Sequence, residues 1–214
     1  MKIIGSLFCL FTSSMIASVT VSMIASNAHA YLSISESTEI PRAADYQIGF
    51  EPQLLTNNGN GANFSAFFDA PFNDSTSSRL WLGGGAIDFN VGATVKYVPF
   101  PDVDNQPGIG IRAGGFFARK SDLNILTVQL APIFSKKFNT SAGLFIPYTA
   151  IALDFTSTKD KNYTGTQMMF GTEYRTSDIP NMYFGAEVGL NLADSYSYVA
   201  GTVTFPFDSS KGLF

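Results

Sequence analysis

The feature that most restricts this chain is an alternation with a period of two, seen most clearly near the carboxyl end. Residues 181–207 read NMYFGAEVGLNLADSYSYVAGTVTFPF. Met182, Phe184, Ala186, Val188, Leu190 and Leu192 fall on one side, and Asn181, Tyr183, Gly185, Glu187, Gly189 and Asn191 on the other. Successive strand side chains point to opposite faces, so this pattern is a strand with one apolar and one polar or small side. After Ala193, Asp194 and Ser195 a second arm sets Val199, Gly201, Val203, Phe205 and Phe207 on one face. Arms of about ten residues, apolar outward and polar inward with aromatics near their ends, can cross a bilayer while satisfying every backbone group. A soluble sandwich or lipocalin-like barrel shares the alternation and is the alternative.

The same pattern runs back through the chain. Strands are expected at Asp45–Gln53, Ala62–Phe72, Arg79–Ile87, Val91–Pro99, Ile109–Arg119, Leu123–Ser135, Ser141–Phe155 and Tyr163–Arg175, followed by the two arms above. Between them lie turn formers such as Asn57-Asn58-Gly59-Asn60-Gly61 and Asn73-Asp74-Ser75-Thr76-Ser77-Ser78, and the proline-rich PFPDVDNQP at residues 99–107. This predicts an all-β fold, an antiparallel up-and-down transmembrane β-barrel of ten strands. Eight is the alternative, if the segment holding Gly83, Gly84 and Gly85 merges with the next or the first segment serves as a lead-in. A helical period of 3.6 is not sustained after Ala30, so a helical plug or helical domain is not expected.

The amino terminus sets the compartment. Met1-Lys2 precedes an apolar run through Ile24 and then Ser26-Asn27-Ala28-His29-Ala30, with small residues where a signal peptidase reads. Residues 1–30 are expected to be a cleaved signal peptide, residues 31–43 a flexible periplasmic lead-in, residues 44–207 the barrel and residues 208–214 a tail. Cleavage leaves 184 residues and removes the only cysteine, Cys9, and the only histidine, His29. No catalytic residue, metal site or cofactor is expected, because disulfides, thiolate or imidazole metal sites and Ser-His or Asp-His pairs all need those residues. Losing Lys2 leaves 12 Lys plus Arg against 17 Asp plus Glu, a net charge of −5 with no basic block. Nucleic acid is therefore not an expected partner.

These hairpins, the glycine and aromatic enrichment, the acidic cysteine-free chain and the Phe-rich last strand resemble small outer-membrane β-barrels of Gram-negative bacteria, of the general OmpA and OmpX type. The likeness covers roughly residues 44–207 and points to no single family. It implies outer-membrane lipid and the barrel assembly machinery as partners, and an aromatic assembly signal in the final strand. Here Phe205 and Phe207 are followed by a short tail ending at Phe214, so the signal is either internal or carried by Phe214.

Charges facing lipid at mid-bilayer cost about 2–4 kcal/mol for Arg or Lys, so charged residues should point inward. The expected lumen cluster is Asp45, Glu51, Asp69, Lys96, Arg112, Asp154, Glu173, Arg175 and Glu187. A barrel of this size has a lumen just wide enough for side chains, which implies a salt-bridged, filled interior. The expected function is then an integral outer-membrane barrel with a structural, adhesive or interaction role and no catalysis. A narrow channel for small polar solutes, selected by Lys96, Arg112 and Arg175, is the alternative. A soluble periplasmic barrel binding an apolar ligand is the second alternative. Asp102, Asp104 and Asn105 resemble the start of a calcium loop but lack its later Gly and Glu, and read as turn acids.

Overall fold

The alternating segments become strands that close on themselves. The computed structural model describes residues 32–42, 45–57, 61–179 and 181–208. The expected signal peptide at residues 1–30 and the tail residue Phe214 lie outside the described residues. In chain order the strands are β1 (Asp45–Leu55), β2 (Gly61–Asn73), β3 (Thr76–Gly85), β4 (Phe89–Phe100), β5 (Gly108–Lys120), β6 (Leu123–Ser135), β7 (Phe138–Thr140), β8 (Gly143–Thr158), β9 (Asn162–Arg175), β10 (Tyr183–Ala193) and β11 (Tyr198–Asp208). All pairings are antiparallel between chain neighbours, except that β6 pairs with β8 and β1 with β11. The three-residue β7 pairs only with β8, outside the ring. Among the described residues the wall is therefore a closed barrel of ten strands, which rules out the eight-stranded alternative.

One boundary differs in an instructive way. The turn expected to run through Ser78 is much tighter, because Asn73 Oδ1 accepts from Ser75 N (2.9 Å) and Ser75 Oγ (3.0 Å). That side-chain cap lets Thr76, Ser77 and Ser78 pair with Asn73, Pro71 and Ala70 and begins β3 three residues before Arg79.

Polarity is split across the wall. Phe64, Phe72, Leu80, Leu82, Leu126, Val128, Phe155, Val188 and Val199 project outward and are exposed, whereas Glu51, Asn63, Asp69, Arg112, Gln129, Asp154 and Glu187 are buried. The outer aromatics include a cluster where first and last strands meet, with Tyr46 against Phe68 and Phe207 (ring centroids 5.7 and 5.8 Å apart) and Phe50 against Phe205 (6.4 Å). Phe205 and Phe207 are thus part of the outer face of the seam. Inside, Phe67, Phe116, Tyr148 and Tyr198 each lie over the glycine directly opposite on the neighbouring strand, Gly49, Gly92, Gly171 and Gly189. A Cβ there would strike the ring, so the glycines let large side chains lie flat against the inner wall.

Glu187 is 2 % exposed and Val188 42 % exposed, one residue apart on β10. The single-residue step reverses the face. Val188→Arg should destabilise the barrel by about 2–4 kcal/mol near the bilayer centre and by less toward the interface. Folding titrations into lipid vesicles measure this, and a neutral substitution would place that face against water rather than lipid.

Candidate functional site

Inside the barrel the decisive residues are not in the wall. Residues 32–38, expected to be a flexible lead-in, are all buried, and exposure rises only through residues 39–41 to Arg42 at the mouth shared by β1 and β11. The segment is a plug. Its inner end, Leu32 and Ile34, joins the apolar cluster with Leu55, Ile87, Phe116, Ile133, Met169, Tyr196 and Tyr198. The expectation failed because Ser and Thr satisfy a solvated linker and a hydrogen-bonded interior equally well. The alternation of Leu32 and Ile34 with Ser33 and Ser35 was the one available signal.

The plug pairs with no strand, so its backbone groups need side-chain partners. Ile34 N and Ser35 N both donate to the Glu187 carboxylate (3.0 and 2.7 Å), which also accepts from Tyr148 Oη (2.8 Å) and Tyr198 Oη. Ser35 has a φ of +47°, in the left-handed region, and the two amides converge on this one anion as in an anion-binding nest. Ser37 N donates to Glu173 Oε1 (2.7 Å) and Thr38 N to Ser135 Oγ (3.2 Å). The carbonyls face cations. Arg112 donates to Ser33 O (2.7 Å) and Ile34 O (2.9 Å), Arg79 to Ile34 O (3.3 Å) and Ser35 O (3.2 Å), and Lys96 to Ser37 O and Glu39 O (both 2.8 Å).

Side-chain ion pairs complete the network. Glu36 of the plug lies 2.9 Å from Lys96 Nζ and 3.3 Å from Arg112 Nη1. Arg79 clamps Asp69 with two hydrogen bonds (2.6 and 2.8 Å), its guanidinium 3.9 Å over the Phe67 ring. Arg112 also donates to Gln129, whose Nε2 donates to Asp154 Oδ1 (2.9 Å). Glu51 accepts from Ser33 Oγ (2.7 Å). Glu173 pairs with Arg175 (2.9 Å), which stacks 4.3 Å over Tyr183 near the mouth.

Of the expected lumen residues, Glu51, Asp69, Lys96, Arg112, Asp154 and Glu187 are buried in this interior, and Glu173 and Arg175 are half-buried toward the mouth. Asp45 is a correction. It is half-buried at the rim, opposite Asp208, its N–H donating to Arg42 O (2.9 Å), because it opens β1 just where the chain leaves the lumen. Arg79 and Glu36 were missed. Arg79 was legible, since Leu80 and Leu82 beside it face outward and the rule that turns charges away from lipid applies to it equally. Glu36 was not, because nothing local says that its segment enters the barrel.

Outside the wall, Asp102 ties the turn after β4 to the turn after β6. Lys136 Nζ lies against Asp102 Oδ1 and the carbonyls of Asp104 (2.7 Å) and Gln106 (3.1 Å), while Lys137 N donates to the other carboxylate oxygen. An ammonium thus sits among the oxygens whose sequence resembles the start of a calcium loop. Burial pushes the Asp102 carboxyl up, but the Lys136 hydrogen bond and the Lys137 amide outweigh it and hold it below the usual range.

The closed wall and its split polarity together define a transmembrane β-barrel whose lumen is filled by its own residues 32–38. No family model and no curated protein matches this chain. Similar solved structures include the β domain of the Bordetella autotransporter Brka (10% identity, 76% of this chain and 98% of that one, TM-score 0.46). Others are an outer membrane channel from Pseudomonas putida F1 (9%, 82% and 100%, 0.45) and a de novo designed transmembrane β-barrel (14%, 78% and 99%, 0.41). At such scores they say nothing about what this chain does, and its class rests on its own closure and polarity.

Glu187→Gln replaces a carboxylate that faces four donors with an amide that presents two more, and should cost about 1–3 kcal/mol in urea unfolding. It should also speed amide exchange at residues 34 and 35. For Asp102, a depressed folded pKa means its contribution is present above the unfolded value and lost as pH falls through the folded one. A carbon-detected NMR titration should therefore give a midpoint below that of a free aspartate, about 3.9, and Lys136→Met should raise it.

Proposed function

We propose that this chain is an integral outer-membrane barrel whose lumen is sealed by its own N-terminal segment, and that it serves as a structural or interaction component rather than as an open channel or an enzyme. The observation that carries the reading is the burial of residues 32–38 on Glu187, Arg79, Lys96 and Arg112. Of the cations that would set the selectivity of a conduit, Lys96 and Arg112 are occupied by plug carbonyls and by Glu36, and Arg175 pairs with Glu173. Near the mouth a cavity of about 30 Å³ has room for roughly two waters, too little for a hydrated ion to pass.

An acid–base pair from Glu173 and Glu187 is disfavoured on the same ground, since both carboxylates receive plug amides. A structural or interaction role is favoured over adhesion through long loops. At the mouth away from the termini the connections are short, residues 86–88, 121–122, 159–161 and 194–197 among them. The apolar outer face supports insertion in lipid over a soluble barrel.

In planar bilayers the purified protein should pass no steady current, and steady current that changes on neutralising Lys96 or Arg112 would establish the channel reading instead. Carbonate or high-salt washing should leave the protein in the membrane fraction. Release without detergent would point to the soluble barrel.

A further inference from the structure

The last strand outruns its neighbour on one side. β10 begins at Tyr183, in register with Thr204 of β11, while β11 continues to Asp208. From Phe205 onward, among the described residues, β11 pairs with β1 alone. The wall therefore has a notch beside the seam, at the mouth that carries Arg42. Pro206 lies in this singly paired stretch, as prolines in sheets do at edges. The chain between β9 and β10 turns at the notch, Met182 N donating to Ile179 O (3.2 Å). Ile179 and Met182 thereby line, with Ile48, Phe50, Phe205 and Pro206 of the seam, a groove of about 410 Å³. Sites for small molecules span about 300–1,000 Å³ and have this composition, apolar walls with few polar groups.

Where the groove opens decides what reaches it. Ile48, Phe50 and Phe205 lie on the outer face, in the same alternation that exposes Leu54 and Val199, so the groove is continuous with the apolar surface that faces lipid. Among the described residues no charged side chain lines it, and Asn181 is its one polar side chain. An acidic or basic peptide would find nothing there to pair with. Hydrocarbon is equally soluble in the bilayer, so a chain is held only by closer packing and by polar contacts. The rest of the barrel wall is convex and touches a chain along one side, whereas the notch touches it on several. Asn181 adjoins the rim, where a phospholipid carries its ester carbonyls, and its amide NH2 is a donor for one.

We propose that the notch is a binding site for one membrane phospholipid, with an acyl chain in the groove between Ile179, Met182 and the aromatic seam and its ester end at Asn181. The inference goes beyond the sealed-lumen reading and rests only on the insertion of the outer face in lipid. It gives the barrel one fixed lipid among the many that pass along its wall.

The test uses the full barrel purified in detergent and a phospholipid brominated on its acyl chains, which quenches tryptophan on contact. The natural Trp81 is buried on the inner face, so Phe50→Trp reports on the groove and Leu126→Trp on the open wall. Quenching in Phe50→Trp should saturate at one lipid per barrel and reverse with unbrominated phospholipid. In Leu126→Trp it should rise only in proportion to the lipid fraction. Adding Ile179→Asp, in the turn outside the wall, to Phe50→Trp should raise the lipid needed for half-quenching at least about tenfold. Proportional quenching at both positions, or saturation unchanged by Ile179→Asp, would overturn the proposal. So would saturation by a brominated fatty acid but not by the phospholipid, or a dimer in analytical ultracentrifugation that shields Phe50→Trp from lipid. If Phe50→Trp does not fold, Met182→Trp in the turn gives the same readout. Release of the barrel by carbonate would sink lipid insertion itself, while a retained barrel with proportional quenching sinks only this inference.

Discussion

Everything inside this barrel follows from an extended stretch of backbone that lies in a closed lumen without a strand to pair with. Eight strands enclose a space that side chains alone can fill, and the diameter grows with strand number, so ten leave a wider interior. Here residues 32–38 occupy it. A backbone sequestered from water must find a partner for nearly every N–H and C=O. The wall divides that task by charge, with Glu187 and Glu173 taking amides while Arg79, Lys96 and Arg112 take carbonyls.

That division changes what the lumen charges mean. A mixed set of carboxylates and cations could line a conduit, or a pair of carboxylates could move protons, but only if the groups face solvent or a substrate. Here nearly all of them terminate on the plug or on each other, as in the Asp69–Arg79 clamp and the Glu36 contacts with Lys96 and Arg112. Buried pairs of this kind are weak evidence of net stabilisation, because desolvation offsets much of the attraction. Their clearer consequence is register, since sliding the plug would take the Ile34 and Ser35 amides off Glu187 and Glu36 off Lys96 and Arg112.

The wall is prepared for this interior by small residues as much as by charged ones. Gly171 and Gly189 let Tyr148 and Tyr198 lie against the strands, and from there both hydroxyls reach Glu187. Outside, the same strands present aliphatic and aromatic side chains, including the Tyr46, Phe68 and Phe207 cluster across the seam of first and last strands. One run of alternating residues thus serves two solvents, lipid on one face and a polar, dry interior on the other.

The strands, their facing and their number were legible in the sequence because they rest on local information. An alternation of two is written into adjacent residues, and Val188 out with Glu187 in follows from it without knowledge of any neighbour. Turn extents were less secure where one side chain decides, as Asn73 does for the start of β3. The path of residues 32–38 and the partner of each lumen charge were settled only by the closed structure. Ile34 meets Glu187 from 153 residues away and Ser33 meets Glu51 from 18, and a Ser, Thr and Glu segment carries the same composition whether water or a ring of buried side chains receives its backbone. Tertiary closure creates that ring and excludes water from it, and so decides which reading is physical.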